Sequence, residues 1–337
     1  INRKVDLSRF TDTTRHLTNS GIPTQGIAFY HQSTLDLLQG LSCSVGLRYD
    51  YEHARCDFSK VQQPLNGNGE TKSLEQFNRS LHFGQFTPRF SMQYLSSHNQ
   101  LFYASVSKGY KAGGFNVSFL NNDDYLYSPE YNWNYEIGTK LSFLNNRLSA
   151  DLSLFYIDWR NQQITNTIPT VGNVIRNAGR SRNKGIEASF QARPTKSWMM
   201  YMNYGYTDAR FVHYQKEERG ILKDYEGNYL PMVPRHTFSL TTGYSFYDIC
   251  SWIDRLTLNA GVSVTGPIYW YEDNQAKQSP YALVNLRISI NKGCFTWEAW
   301  SKNLTNTDYL SYYFVTSKAY AQKGKPITLG TSVSISL

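Results

Sequence analysis

The chain has 337 residues, a mean hydropathy of −0.50 and an aromatic content of 15%. No run of about 18 apolar residues occurs, which excludes a spanning helix but not spanning strands, since each strand needs only about 9–11 alternating residues. The net charge is +8, and the cations are scattered rather than gathered into a nucleic-acid-binding block.

Period-two alternation predicts thirteen strands, at 24–35, 41–52, 81–94, 100–110, 132–143, 147–159, 179–193, 197–208, 235–246, 256–268, 281–290, 295–303 and 326–337. Residues 1–23 read as a loop or lead-in. Segment 53–80 reads as a polar loop with turn chemistry at Asn66-Gly67-Asn68-Gly69. Short connections (36–40, 95–99, 144–146, 194–196) alternate with long ones (53–80, 111–131, 160–178, 209–234, 269–280, 304–325). That alternation is expected of a transmembrane antiparallel β-barrel with short periplasmic turns and long extracellular loops.

Parity assigns the faces. Phe238, Leu240, Thr242, Tyr244 and Phe246 alternate with Thr237, Ser239, Thr241, Gly243 and Ser245. Greasy residues on one side and small hydroxylated ones on the other suit lipid outside and water inside. The lipid set includes Leu148, Leu152, Leu154, Ile186, Leu258, Val284, Leu286, Val333 and Leu337. The lumen set includes Arg48, Asp50, Arg89, Glu136, Lys140, Arg147, Asp151, Glu187, Arg287 and Glu298. Charges of both signs need water or polar partners, so the lumen is a channel or holds a polar plug. The 26 Tyr and 7 Trp fit interface girdles. Bacterial single-chain barrels have even strand numbers, so an odd count reads as the C-terminal part of a larger barrel. The start at Ile1, without Met or signal peptide, fits that reading. Of four cysteines, Cys250 and Cys294 fall in turns on one side and could bridge; Cys43 and Cys56 sit at opposite ends of a strand and should not.

Several motifs then appear in order. Ser107-Lys108-Gly109-Tyr110-Lys111-Ala112-Gly113-Gly114-Phe115-Asn116 resembles a strand-to-loop segment of TonB-dependent outer-membrane receptors. Pro129-Glu130, then Asn134-Tyr135-Glu136-Ile137-Gly138-Thr139-Lys140, is similar to their "PE…NYEIGxK" strand. Lys184-Gly185-Ile186-Glu187 and Asn303-Leu304-Thr305-Asn306 continue the likeness. The resemblance covers most of 27–337 and implies a 22-stranded barrel of which this chain supplies about the last thirteen strands. It implies partners as well: TonB, a plug and first strands upstream or in another chain, outer-membrane lipid and lipopolysaccharide, and a ferric siderophore. No cofactor is implied. One departure is Leu337, where the family usually ends in an aromatic residue.

Candidate substrate contacts near the extracellular end are Tyr110, Lys111, Asn134, Arg180, Asp208 and His236. Loop aromatics Tyr225, Tyr229, Tyr269, Trp270, Tyr271, Tyr309, Tyr312, Tyr313 and Tyr320 form a vestibule or, equally, an interface belt. Candidate plug contacts are Arg89, Glu136, Lys140, Arg147, Asp151, Glu187, Arg287 and Glu298, with internal salt bridges as the competing reading. Asn121-Asn122-Asp123-Asp124 offers hard oxygens for Ca²⁺, against which stands a solvated loop tip. No HExxH, GxSxG or P-loop occurs, so the chain reads as no enzyme. The rivals are a barrel lipase or protease, a passive porin, and uptake of heme, cobalamin, nickel chelates or glycans.

Overall fold

The structure is a computed structural model that describes residues 2–11, 13–65, 69–168, 171–177, 179–218, 221–315 and 318–336. One sheet of fourteen strands runs in sequence order, each antiparallel to the next. Its strands are β1 (Asn2–Phe10), β2 (Thr14–Leu38), β3 (Leu41–Pro64), β4 (Lys72–Leu95) and β5 (Leu101–Lys111). Then come β6 (Glu130–Phe143), β7 (Leu148–Arg160), β8 (Arg180–Ala192), β9 (Trp198–His213) and β10 (His236–Cys250). The sheet ends with β11 (Ile253–Thr265), β12 (Tyr281–Lys292), β13 (Phe295–Lys302) and β14 (Thr328–Ile335). No described helix is long and apolar enough to cross a membrane.

The thirteen expected strands are β2–β14. Two segments expected as loops differ. Residues 1–23 supply β1 and the first part of β2, paired Asn2 to Pro23 through Phe10 to Arg15. Segment 53–80 is mostly strand, because β3 runs to Pro64 and β4 starts at Lys72. Its polar residues hid an intact alternation: Ala54, Cys56 and Phe58 are buried, while Arg55 and Asp57 pair with each other on the other face. The turn expected at 66–69 lies outside the described residues at 66–68.

Register confirms both faces. Leu152 lies opposite Thr139 and Ala188, and Leu258 opposite Tyr244 and Ile288. All of these are on the exposed apolar side, where Leu152, Leu258 and Ile288 each keep over 40% of their surface. The opposite face pairs Asp151 with Lys140, and Arg287 with Asn259 and Trp300. Leu337, expected on the lipid face, lies outside the described residues.

Aromatic rings on the polar face lie flat over glycines of the next strand. Tyr103 is opposite Gly138 and Trp300 opposite Gly330. A Cβ at Gly138 would meet the Tyr103 ring at 2.6 Å, and one at Gly330 the Trp300 ring at 2.2 Å. Such pairs cover bare backbone and pin the strand register.

The buried core is not between the spanning strands. It lies at the long-loop end in two clusters. One joins Ile22, Ala54, Cys56, Phe58 and Phe115. The other joins Ala209, Phe211, Tyr214, Tyr225 and Leu230. A single-layer barrel wall has lipid on one side, so its apolar residues stay uncovered by protein. Only the loops fold back on themselves. All four cysteines, including Cys250 and Cys294, are free thiols.

Candidate functional site

The long loops are tied into a collar. Loop 112–129 grips loop 161–179 through Asn116, whose amide donates to the Ile175 carbonyl at 2.7 Å and accepts from the Ile175 N–H at 2.8 Å. Gln163 donates to the Ala112 carbonyl at 2.8 Å, and its own N–H donates to Glu130 at 2.6 Å. Arg176 forks onto Asp124 at 2.6 and 2.8 Å. These two hydrogen bonds hold the Asp124 carboxyl below the ordinary carboxylate value; burial opposes them, and the Leu120 amide assists. Asp124 is therefore a lock between loops, neither a solvated tip nor part of a cation site. No cluster that could hold a metal ion occurs among the described residues. Asn121 caps the short 3-10 turn Asn122–Tyr125 that places it.

The remaining loops are linked in the same way. Asn274 donates to the Tyr229 carbonyl at 2.9 Å and accepts its N–H at 2.7 Å. Gln278 accepts the Leu310 N–H at 2.8 Å, and the Tyr271 hydroxyl accepts the Val315 N–H at 2.5 Å. Ile164 packs on the second buried cluster, so the collar is continuous from loop 161–179 to loop 214–235.

The sequence-predicted contacts separate into three groups. On the inner face, Asn134 lies opposite Ser107 and Ile157. Lys111 pairs with Glu130, its Nζ 3.9 Å away. The Tyr309 ring stacks on Tyr281 at 4.4 Å, and Tyr281 shares the face of Asn285 and Arg287. Tyr110, by contrast, is in register with Tyr131 in the row of Arg160, and its hydroxyl donates to Glu52 at 2.8 Å.

A second group lies on the outer face. Arg180 is in register with Arg160 and forks onto Asp158 at 2.6 and 2.9 Å. His236 is opposite Tyr206 and bonded to the Tyr204 hydroxyl at 3.0 Å. Tyr229 bridges Arg210, which is opposite Arg182 on the face of Ile186. Tyr269 stacks on Tyr229 at 5.5 Å. All four were expected at the mouth; register puts Arg180 and His236 on the face of Ile186, Tyr229 joins that face through its bridge to Arg210, and Tyr269 is placed by its stack on Tyr229 alone.

The third group is packed in the collar. Tyr225 and Trp270 each keep 5% of their surface and cannot present a ring to a ligand. Tyr313 packs against Tyr271 at 6.2 Å and Tyr312 against Trp270 at 6.3 Å, with Tyr312 the more exposed of the two. Sequence reasoning missed Tyr281, Glu52 and Arg210. Tyr281 had a signal, its parity with Arg287; the others are defined only by distant partners.

Down the inner face, Arg287 lies 3.7 Å from Glu298, which also accepts from Ser289 at 2.8 Å. Glu136 accepts from the Tyr103 hydroxyl at 2.7 Å. Arg89, Lys140, Asp151 and Glu187 make no ion pair among the described residues, and Lys140 and Asp151 are direct cross-strand neighbours. Arg147 sits in the short turn after β6, where its carbonyl accepts the Arg193 N–H at 2.7 Å.

Residues 3–306 match the family described as TonB dependent receptor-like, beta-barrel. The pesticin receptor of Yersinia pestis is 24% identical over 96% of this chain, which spans 46% of that protein. A probable TonB-dependent siderophore receptor, PiuA of Acinetobacter baumannii, is 26% identical over 66% of the chain and 30% of its own length. The ferric yersiniabactin uptake receptor FyuA from Yersinia pestis superposes with a TM-score of 0.77 at 21% identity, over 98% of this chain and 49% of that one. The chain thus spans between about a third and a half of the length of these relatives. With the alternating faces, the short and long connections and this match together, the chain belongs to the TonB-dependent receptor β-barrel family of the bacterial outer membrane.

Proposed function

We propose that this chain forms part of an active transporter that binds a ferric siderophore at its extracellular mouth and imports it with energy delivered through TonB. The observation that carries the reading is the run of relatives with siderophore names: a ferric yersiniabactin uptake receptor, a probable siderophore receptor and a ferrichrome outer membrane transporter. The inner face supports it. Lys111, Asn134 and the Tyr309–Tyr281 stack lie there, a cation and flat amphipathic rings suited to an anionic, aromatic chelate. Lower down, Arg89, Lys140, Asp151 and Glu187, in no ion pair among the described residues, offer partners to a polar plug, since such charges enclosed away from water require pairing.

The test is growth of an iron-starved strain that lacks its other siderophore receptors and carries this receptor, supplied with single ferric chelates. One chelate should restore growth, and removing TonB should abolish it. Tyr309→Ala should raise the half-saturating chelate concentration about tenfold, the equivalent of roughly 1.4 kcal/mol. His236→Ala, on the outer face opposite Tyr206, should leave it unchanged. Growth that depends on no ferric chelate, or that persists without TonB, defeats the reading.

A further inference from the structure

The inner wall at the collar holds polar side chains with no partner inside the protein. Two neighbouring cross-strand rows contain them. Asn132, Trp159, Ser181 and Phe211 form the upper row, and Asn134, Ile157, Asn183 and Ala209 the lower. Trp159 Nε1, Ser181 Oγ and Asn183 Oδ1 are buried and make no hydrogen bond. Ser181 has no exposed surface at all. Asn132 and Asn134, half-buried on β6, make no side-chain hydrogen bond among the described residues either. Roughly 90% or more of buried polar groups in folded proteins are paired. Three orphaned atoms on adjacent positions of one wall therefore mark a place where an outside partner belongs.

We propose, on the basis of the transport reading, that this patch takes a carboxamide group in the organic frame of the ferric chelate. The indole N–H of Trp159 only donates, the orphaned Asn183 oxygen only accepts, and the Ser181 hydroxyl does either. A carboxamide offers one acceptor and one donor. Ser181 and Asn183 are alternate residues of β8, about 7 Å apart, close to the span of a carboxamide with a hydrogen bond at each end. Neither row holds a charged side chain, so nothing there attracts the anionic groups that bind iron. Lys111 stands one step nearer the loops, in register with Glu130. A chelate can thus turn its anionic head to Lys111 and its frame to the patch.

The patch opens on the β6 side, where Asn132 and Asn134 keep part of their surface. On the β9 side, Ile164 packs on the cluster that contains Ala209 and Phe211. Ile164 belongs to a loop hairpin, Gln163–Ile168 with Gly172–Asn177. That hairpin is tied to loop 112–129 through Asn116 and Arg176, and none of its groups reaches the three orphaned atoms. It covers the patch without using its hydrogen-bonding capacity. A site built to bond a polar group rejects an analogue that lacks the group, because its own buried groups then stay unpaired.

The test is equilibrium binding of two ferric tris-catecholates to the complete receptor, purified from outer membranes in mild detergent. Both carry the same iron-binding rings; one frame links them through carboxamides, the other through methylene groups. The carboxamide chelate should bind at least about tenfold tighter. Trp159→Phe with Asn183→Leu should erase that preference by weakening the carboxamide chelate alone. Thr241→Val, on the same face of β10 opposite Tyr201, should keep it in full. Equal affinities in the unaltered receptor, as a patch that held only water would give, overturn the proposal. So does binding of neither chelate, or a preference that survives in the double variant. Should the double variant not fold, the comparison on the unaltered receptor and Trp159→Phe alone decide. The transport reading falls separately, only if growth depends on no ferric chelate or persists without TonB.

Discussion

Single side chains act here mainly as locks between loops. Asp124 and Arg176 lie 52 residues apart and join two loops through a fork of two short hydrogen bonds. Asp124→Asn keeps the shape and removes the charge. A buried hydrogen bond to a charged group contributes about 1.5–3 kcal/mol, and Arg176, 40% exposed, recovers part of it from water. Hydrogen exchange of 114–127 and 172–177 should therefore accelerate about tenfold in the variant. The same pair sets a pH dependence. The carboxyl titrates below its ordinary 3.8 in the folded state, so its contribution is complete above that value and is lost as pH falls through the lower, folded one. Exchange protection of these segments should be flat from neutral pH to about 5 and should fall only in acid below about 4. Loss of protection near neutral pH would contradict the assignment.

Strands depend on pairs. The Tyr103 ring occupies the space above Gly138, so Gly138→Leu forces the ring off its strand and leaves the backbone no covering contact. Overpacking of this kind costs about 1–3 kcal/mol. The fraction of receptor with folded, heat-modifiable mobility should drop, and Tyr103→Ala in the same chain should restore part of it. The element that parity misjudged teaches the converse. In β3 and β4 beyond the membrane both faces carry polar residues, and the apolar side is recognisable only because Cys56 and Phe58 meet Phe115 from another loop.

The whole molecule separates two solvents with a wall one strand thick. A lysine near the middle of the lipid face costs about 2–4 kcal/mol, and far less on the wet face. Leu152→Lys should accordingly lower the urea midpoint for folding into lipid vesicles, while Ser153→Lys, one residue on and on the opposite face, should change it little. Equal effects of the two would mean that the faces are misassigned. The same arrangement explains why the compact cores sit in the collar: lipid, not protein, covers the apolar residues of the wall.

The strand ladder, its two faces and its family were readable from the order of residues, because lipid and water sort every second side chain and the receptor motifs recur along the chain. The inner-face positions of Asn134, Lys140 and Arg287 were readable for the same reason. The aromatic loops were not. Whether Tyr229 looks into the mouth or out to the membrane depends on its bridge to Arg210, and whether Tyr225 is a ligand contact or core depends on Phe211 and Leu230. Such contacts join residues far apart in the chain, where no local period constrains the direction of a side chain, so only folding the loops against one another settles them.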